Sequence, residues 1–312
     1  LDASGDSVVV TATRTERKLS NITVPVTIIN AKTIQQNGSL RLTDILKEQT
    51  GLNLTSGFGA GIQLQGLNPD YTIILINGEP LVGRTAGVLD LNRIALGNIK
   101  KIEIVKGPSS SLYGSEAMAG VINIITDATM GSPLTIGLRY GTYNTVDANL
   151  ETKLQTKNFQ YQGFANSYQT DGYSIRPNSN SRVRTPIERY TTTQQIKWDL
   201  SSKTNFVLNT RYTNEQIQNE IAVANNGVTI YSIGKENIKD LNVSASLNHR
   251  FSKKIKTSLR TYTTTYDAVQ NLLTINGLPY RDVLNHNFKR IENQTDWDLS
   301  KNLQAVFGAG AV

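Results

Sequence analysis

Ile99-Lys100-Lys101-Ile102-Glu103-Ile104-Val105-Lys106-Gly107-Pro108-Ser109-Ser110-Ser111-Leu112-Tyr113-Gly114-Ser115-Glu116-Ala117-Met118-Ala119-Gly120-Val121-Ile122-Asn123-Ile124-Ile125-Thr126 decides what kind of domain opens the chain. Its two ends, Ile99–Val105 and Val121–Ile125, are short β-branched runs of the kind that form strands. Between them lies a Gly-Pro-Ser break. Gly107-Pro108-Ser109-Ser110-Ser111 has the look of a phosphate-cradling loop but lacks the Lys-Ser/Thr pair and the helix of a P-loop, so it reads as a structural turn. Moving outward, Val24–Asn30, Ile62–Gln65 and Thr72–Ile76 are further strands, and Asn77-Gly78 is a tight-turn signal. Asn30 is placed to cap a helix over Ala31–Gln36 that Gly38 ends. A second helix fits Leu42–Gln49, with Gly51 just past its end. Gly57, Gly59 and Gly61 read as loop glycines. The region up to about residue 130 is therefore a small α+β domain.

Beyond Thr129-Met130-Gly131-Ser132-Pro133 the pattern changes to period 2. Val146, Ala148, Leu150 and Leu154 oppose Asp147, Asn149, Glu151 and Lys153; Leu241, Val243, Ala245 and Leu247 oppose Asn242, Ser244, Ser246 and Asn248. Nine strands follow from this alternation, at 134–141, 146–154, 159–170, 190–200, 204–214, 241–248, 255–267, 291–299 and 303–311. Their lengths suit a tilted membrane-spanning strand, for which about 9–11 residues suffice. Four connections are tight and carry Lys157, Lys203, Lys253 and Lys301. The others, 171–189, 215–236 and 268–289, read as long loops. Trp198, Trp297, Phe159 and Phe251 flank the tight turns, while Tyr140, Tyr168, Tyr190, Tyr212, Tyr262 and Tyr266 gather near the opposite ends. Two aromatic girdles of this sort mark the two faces of a membrane. A soluble β-sandwich is the competing reading of the alternation. Nine is an odd number and the last strand runs to Val312, so the chain is expected to be a fragment of a longer barrel.

Composition agrees. Charged residues are 18% of the 312, and the polarity comes from uncharged side chains, 34 Thr and 30 Asn among them. No window approaches the ~20 apolar residues of a membrane-spanning helix. There is no Cys, which excludes disulfides, thiolate metal sites and Cys nucleophiles, and only two His. His249 reads as a wet rim residue beside a tight turn and His286 as a loop residue. No catalytic constellation is present, so an enzyme is not expected. The first residues show no basic and apolar signal segment. Residues 1–128 hold 11 basic and 11 acidic residues, so the remaining 21 basic and 14 acidic residues carry the whole +7.

Three segments give the chain its resemblance to TonB-dependent outer-membrane receptors. Asp6-Ser7-Val8-Val9-Val10-Thr11-Ala12 resembles their TonB box, although Val8-Val9-Val10 alone is also an ordinary edge strand. Ile62-Gln63-Leu64-Gln65-Gly66-Leu67 with Thr72–Leu81 resembles the core of the family's plug, and Ile99–Thr126 resembles its closing motif over nearly thirty positions. The resemblance implies an N-terminal extension over 1–18, a plug over 19–130, and over 131–312 the first part of an antiparallel transmembrane β-barrel, about 9 of some 22 strands. It further implies energised uptake of a scarce ligand across the outer membrane of a Gram-negative cell. A ferric siderophore or other iron chelate is preferred; haem and cobalamin are alternatives. A non-energised adhesin or porin is the competing class.

The implied partners are a TonB-type energy-transducing protein gripping residues 6–12 by strand addition, outer-membrane lipid and lipopolysaccharide, and the metal chelate. Nucleic acid and a bound cofactor are not implied, and a monomer is expected. Substrate contacts are expected on plug apices Ser56–Gly61 and Pro80–Gly87, with Phe58 and Arg84, and on the first long loop, with Tyr173, Arg176, Arg182 and Arg184. The loop cations equally suit lipopolysaccharide. In the family, plug arginines pair with carboxylates on the inner barrel wall. Here Gln65 and Lys106 stand at those positions, leaving Lys106 to latch to Glu151, Glu292 or Asp296.

Overall fold

The computed structural model describes residues 8–9, 11, 17–57, 59–85, 88–108, 110–126, 132–174, 185–225, 228–274, 279–300 and 303–312. The chain divides into two units, Leu1–Asp127 and Ala128–Val312, close to the composition break.

The first unit runs β1 (Val8–Val9), β2 (Arg17–Lys18), β3 (Val26–Asn30), α1 (Ala31–Gln36), α2 (Leu42–Leu46), β4 (Leu52–Gly57), β5 (Gly59–Leu64), β6 (Thr72–Ile76), β7 (Glu79–Pro80), β8 (Ile99–Lys106), α3 (Ser110–Tyr113) and β9 (Gly120–Thr126). Five strands form one sheet in the order β3-β8-β9-β6-β7, with β6 and β9 parallel and the other neighbours antiparallel. Alternation along β8 and β9 divides their side chains between two faces. Ile102, Ile104, Ile122 and Ile124 join Ile34, Leu42, Ile45, Leu46 and Leu64 in the main core. Val105 and Val121 pack with Ile73, Leu75 and Ala117 on the other side.

Local signals act as expected. Asn30 Oδ1 accepts the Thr33 amide at 2.9 Å to cap α1, and Asn77-Gly78 turns with both residues at positive φ, 52° and 84°. Helix α2 ends at Leu46, earlier than the expected Gln49. The residues expected as an apex over Ser56–Gly61 belong to the β4–β5 hairpin, in which Gly57 pairs with Gly59. Gly61 is a packing glycine there, since a Cβ would sit 2.8 Å from Thr55 Oγ1 and 2.9 Å from Pro69 Cγ.

The second unit is one antiparallel sheet of nine strands in sequence order: β10 (Leu134–Gly141), β11 (Thr145–Gln155), β12 (Phe159–Thr170), β13 (Ile187–Ser201), β14 (Thr204–Asn225), β15 (Val228–Arg250), β16 (Ile255–Thr274), β17 (Pro279–Asp298) and β18 (Gln304–Ala311). Nine strands were expected, at these places, but two of the expected long loops do not exist. Residues 215–225 and 228–236 continue β14 and β15, and residues 268–274 and 279–289 continue β16 and β17. Backbone ladder bonds hold these extensions. Apolar residues fall on both faces there, Ala268 and Leu272 buried on one and Ile233 and Leu273 exposed on the other, so the sequence carries no period-2 signal for them. His286 therefore lies on β17, its ring 6.1 Å from that of Tyr266, and not in a loop. His249 is at the foot of β15, where Nδ1 lies 2.9 Å from Thr204 Oγ1.

The two faces of the sheet differ as the alternation predicts. One exposes Ile136, Leu138, Tyr140, Leu150, Trp198, Leu241, Ile291 and Trp297. The other buries polar groups in pairs. Arg189 donates through Nε and Nη2 to Glu215 at 2.8 and 2.9 Å, and Arg211 donates to Asp240 at 2.6 Å. Asn166 donates to Asp147 at 2.6 Å. No helix among the described residues is long and apolar enough to cross a membrane.

Candidate functional site

The candidate site is where the N-terminal segment meets the sheet of the first unit. Within β8 the run Ile102-Glu103-Ile104 puts one carboxylate among isoleucines. Within β9 the run Ile122-Asn123-Ile124 does the same with an amide. The β8–β9 register pairs Glu103 directly with Asn123, so both polar side chains point away from the main core, beside Leu75. Both are buried, and a carboxylate buried there requires hydrogen-bond partners.

Thr11 supplies them. Its amide and its hydroxyl both donate to Glu103 Oε2, at 2.9 and 2.5 Å. Asn123 Nδ2 donates to Thr11 Oγ1 at 3.0 Å, and the Tyr113 hydroxyl donates to the Thr11 carbonyl at 2.9 Å. Asn123 Oδ1 in turn accepts the Gly78 amide at 3.1 Å. Lys101 Nζ lies 2.6 Å from Glu103 Oε1 and partly neutralises the carboxylate. Thr11 retains 1% of its accessible surface. Just before it, Val8 and Val9 pair with Lys18 and Arg17 in a two-stranded antiparallel ladder. The segment is thus extended at 8–9 and pinned at 11. Four hydrogen bonds hold one residue, with no apolar side chain among their partners.

Of the expected partner-binding residues, Val8, Val9 and Thr11 belong to this arrangement. Asp6, Ser7, Val10 and Ala12 lie outside the described residues, as do the expected substrate contacts Phe58, Arg176, Arg182 and Arg184. Arg84 is described. Its guanidinium donates to the Pro69 and Thr72 carbonyls, both at 2.9 Å, and lies 3.5 Å from Glu116. Tyr173 stacks on Tyr143 with ring centroids 4.9 Å apart. Lys106 Nζ donates to the Thr50 carbonyl at 2.7 Å. Glu151 takes Gln162 Nε2 and Lys153 Nζ, both at 2.9 Å, while Glu292 lies 3.6 Å from Arg290.

Glu103 and Asn123 escaped the reading of the sequence. Their signal, one polar residue centred in each of two isoleucine runs, is visible in the chain, but only the strand register shows that the two meet. Arg189 and Glu215 were missed as a pair because both fell in stretches read as loop. No group of three or more His, Asp or Glu suited to a metal ion is found among the described residues.

Comparison with known proteins agrees with this architecture. Residues 18–121 match the TonB-dependent Receptor Plug Domain. The vitamin B12 transporter BtuB of Vibrio vulnificus is 32% identical over 181 residues, which is 55% of this chain and 29% of that protein. Among solved structures, the ferric-catecholate import receptor Fiu of E. coli in its open form superposes with a TM-score of 0.69 at 16% identity, over 90% of this chain and 47% of that one. The siderophore receptor PiuA of Acinetobacter baumannii gives 0.69 at 14% identity, over 93% and 45%. At such identities these structures speak for the fold alone. The chain spans less than half the length of each of these three relatives. Plug motif, strand order and relatives together place the chain in the TonB-dependent receptor family, as a plug domain followed by the first part of the barrel.

Proposed function

We propose that the complete protein takes up a scarce metal chelate across the outer membrane, driven by a TonB-type partner that grips residues 6–12. The outer membrane has no ATP, so tight capture outside and release inside need work delivered from the inner membrane. A partner that adds a strand to an extended segment grips by backbone bonds, independent of side chains. The observation that carries this reading is the geometry around Thr11. An already extended Val8–Val9 ladder leads into a residue held by hydrogen bonds to the plug sheet at Glu103 and Asn123. Tension on residues 6–12 then acts on β8 and β9, which lie in the middle of that sheet.

An iron chelate is the preferred cargo. The excess of positive charge lies wholly in residues 129–312, and a basic vestibule concentrates anionic chelates. Cobalamin is the second reading, favoured by the 32% identity to a vitamin B12 transporter. The chain's place is the outer membrane, with the apolar face of β10–β18 toward lipid and lipopolysaccharide.

The test uses the complete gene in an iron-starved host and follows radiolabelled ferric chelates and cobalamin. Val9→Pro removes a ladder donor. Surface binding should persist while uptake falls to background. Full uptake by this variant would refute strand addition at residues 6–12.

A further inference from the structure

The tight turn between β15 and β16 carries an excess of charge that its neighbours lack. Arg250, Lys253, Lys254 and Lys256 fall within seven residues, with no carboxylate among them. The turn at 155–159 holds one cation, Lys157, and the turn at 199–205 sets Lys203 against Asp199. Arg250 and Lys256 stand directly opposite each other in the ladder, and like charges so placed repel. All four cations are exposed, and none of them is ion-paired among the described residues. Asp296 lies across from Lys256 on β17, but its Oδ1 accepts Gln294 Nε2 at 2.9 Å.

The turn is fixed as well as charged. Ser252 Oγ accepts the Lys254 and Ile255 amides, both at 3.1 Å. The Arg250 amide donates to the Lys203 carbonyl and the Asp298 amide to the Lys254 carbonyl, both at 2.8 Å. The face above the turn sets its depth. Leu247 and Leu259, paired across the ladder, and Trp297 on β17 stay exposed at the lower end of the apolar face. Phe251 keeps 62% of its surface exposed, its ring edge-on to His249 at 4.6 Å. Ser252–Lys254 add at most about two residues of height below that ring, roughly 7 Å. The headgroup layer on each side of the hydrocarbon is about 5–8 Å thick. The cations therefore stand at the depth of lipid phosphates and do not reach past them.

We propose that the β15–β16 turn is a binding site for an anionic glycerophospholipid of the periplasmic leaflet. Lys253 and Lys254 take its phosphate in the field of Arg250 and Lys256, and its chains lie against Phe251 and the leucines above. A net anion there offsets the repulsion between Arg250 and Lys256. A zwitterionic headgroup brings its own cation into the cluster, and a soluble phosphate makes no use of Phe251. The inference uses the membrane placement proposed above and is independent of the cargo.

The complete receptor, purified in detergent, is titrated with phosphatidylglycerol and with phosphatidylethanolamine of identical chains, and bound lipid is counted by native mass spectrometry. The parent should hold phosphatidylglycerol the more tightly. Lys253→Gln with Lys254→Gln should weaken that binding roughly 10- to 30-fold and leave phosphatidylethanolamine binding and the thermal midpoint unchanged. Lys32→Gln with Lys47→Gln, at two exposed lysines of the first unit, removes the same charge and should bind as the parent does. Equal loss in the two double variants reduces the effect to net charge and overturns the site. Equal affinity of the parent for both lipids overturns its preference for an anion. Glycerol phosphate competing as well as the lipid overturns the lipid in favour of a soluble anion. A parent that retains neither lipid overturns the membrane placement itself.

Discussion

Thr11→Ala is the substitution that bears most directly on how the N-terminal segment is held. It deletes the hydroxyl that donates to Glu103 at 2.5 Å and accepts from Asn123 at 3.0 Å. A hydrogen bond to a charged acceptor contributes about 1.5–3 kcal/mol and a neutral one about 1. The bonds from the Thr11 amide and to its carbonyl survive. The dock should then weaken by about 2.5–4 kcal/mol, which raises the released population by roughly two to three orders of magnitude. Hydrogen exchange of the Thr11 amide, which donates to Glu103 in the docked segment, tracks the open fraction of the complete, ligand-free receptor while opening is fast. In Thr11→Ala that amide should exchange at least thirtyfold faster than in the parent, up to the rate of an unstructured peptide. Thr11→Ser keeps the hydroxyl, and its amide should exchange as the parent's does. A Thr11→Ala rate within threefold of the parent would refute the idea that this hydroxyl pins the segment.

Other outcomes follow from the packing. Arg189→Met leaves the Glu215 carboxylate buried without its bidentate partner. This should cost about 3–5 kcal/mol in urea unfolding of the complete barrel, and adding Glu215→Met should recover most of it. Gly120→Ala brings a Cβ to 2.2 Å from the Val105 carbonyl oxygen and 2.5 Å from Leu64 Cδ2. The β8–β9 pair has to shift at a cost of about 1–3 kcal/mol, seen as faster proteolysis within residues 18–121. Asn30→Ala removes the α1 cap and should cost only about 1 kcal/mol, measurable as a small drop in the thermal midpoint.

Much of this architecture is written in local pattern. Val146 to Leu154 alternate cleanly because one face of β11 meets an apolar surround and the other meets polar partners such as Gln162. The turn at Asn77-Gly78 and the cap at Asn30 are announced by residue types within three positions, so they too are readable. The upper parts of β14–β17 were not. Pairs such as Gln216 with Asn237 are polar partners on one face, where Ile233 and Leu273 also stand exposed, while Ile238, Ala268 and Leu272 are buried beside Glu215 on the other; each face mixes apolar and polar residues, and that leaves no periodicity to read. The dock was hidden for another reason. Thr11 and Glu103 are 92 residues apart in sequence, and nothing local to either one names the other.

The strands also set a height. Measured from the tight turns, β11 has 11 residues and β15 has 23. At about 3.3 Å per residue and a tilt near 45°, their tops stand at about 26 and 54 Å. The edge of the wall therefore climbs like a stair, from a low sill at residues 142–144 to a tall parapet formed by β14–β17.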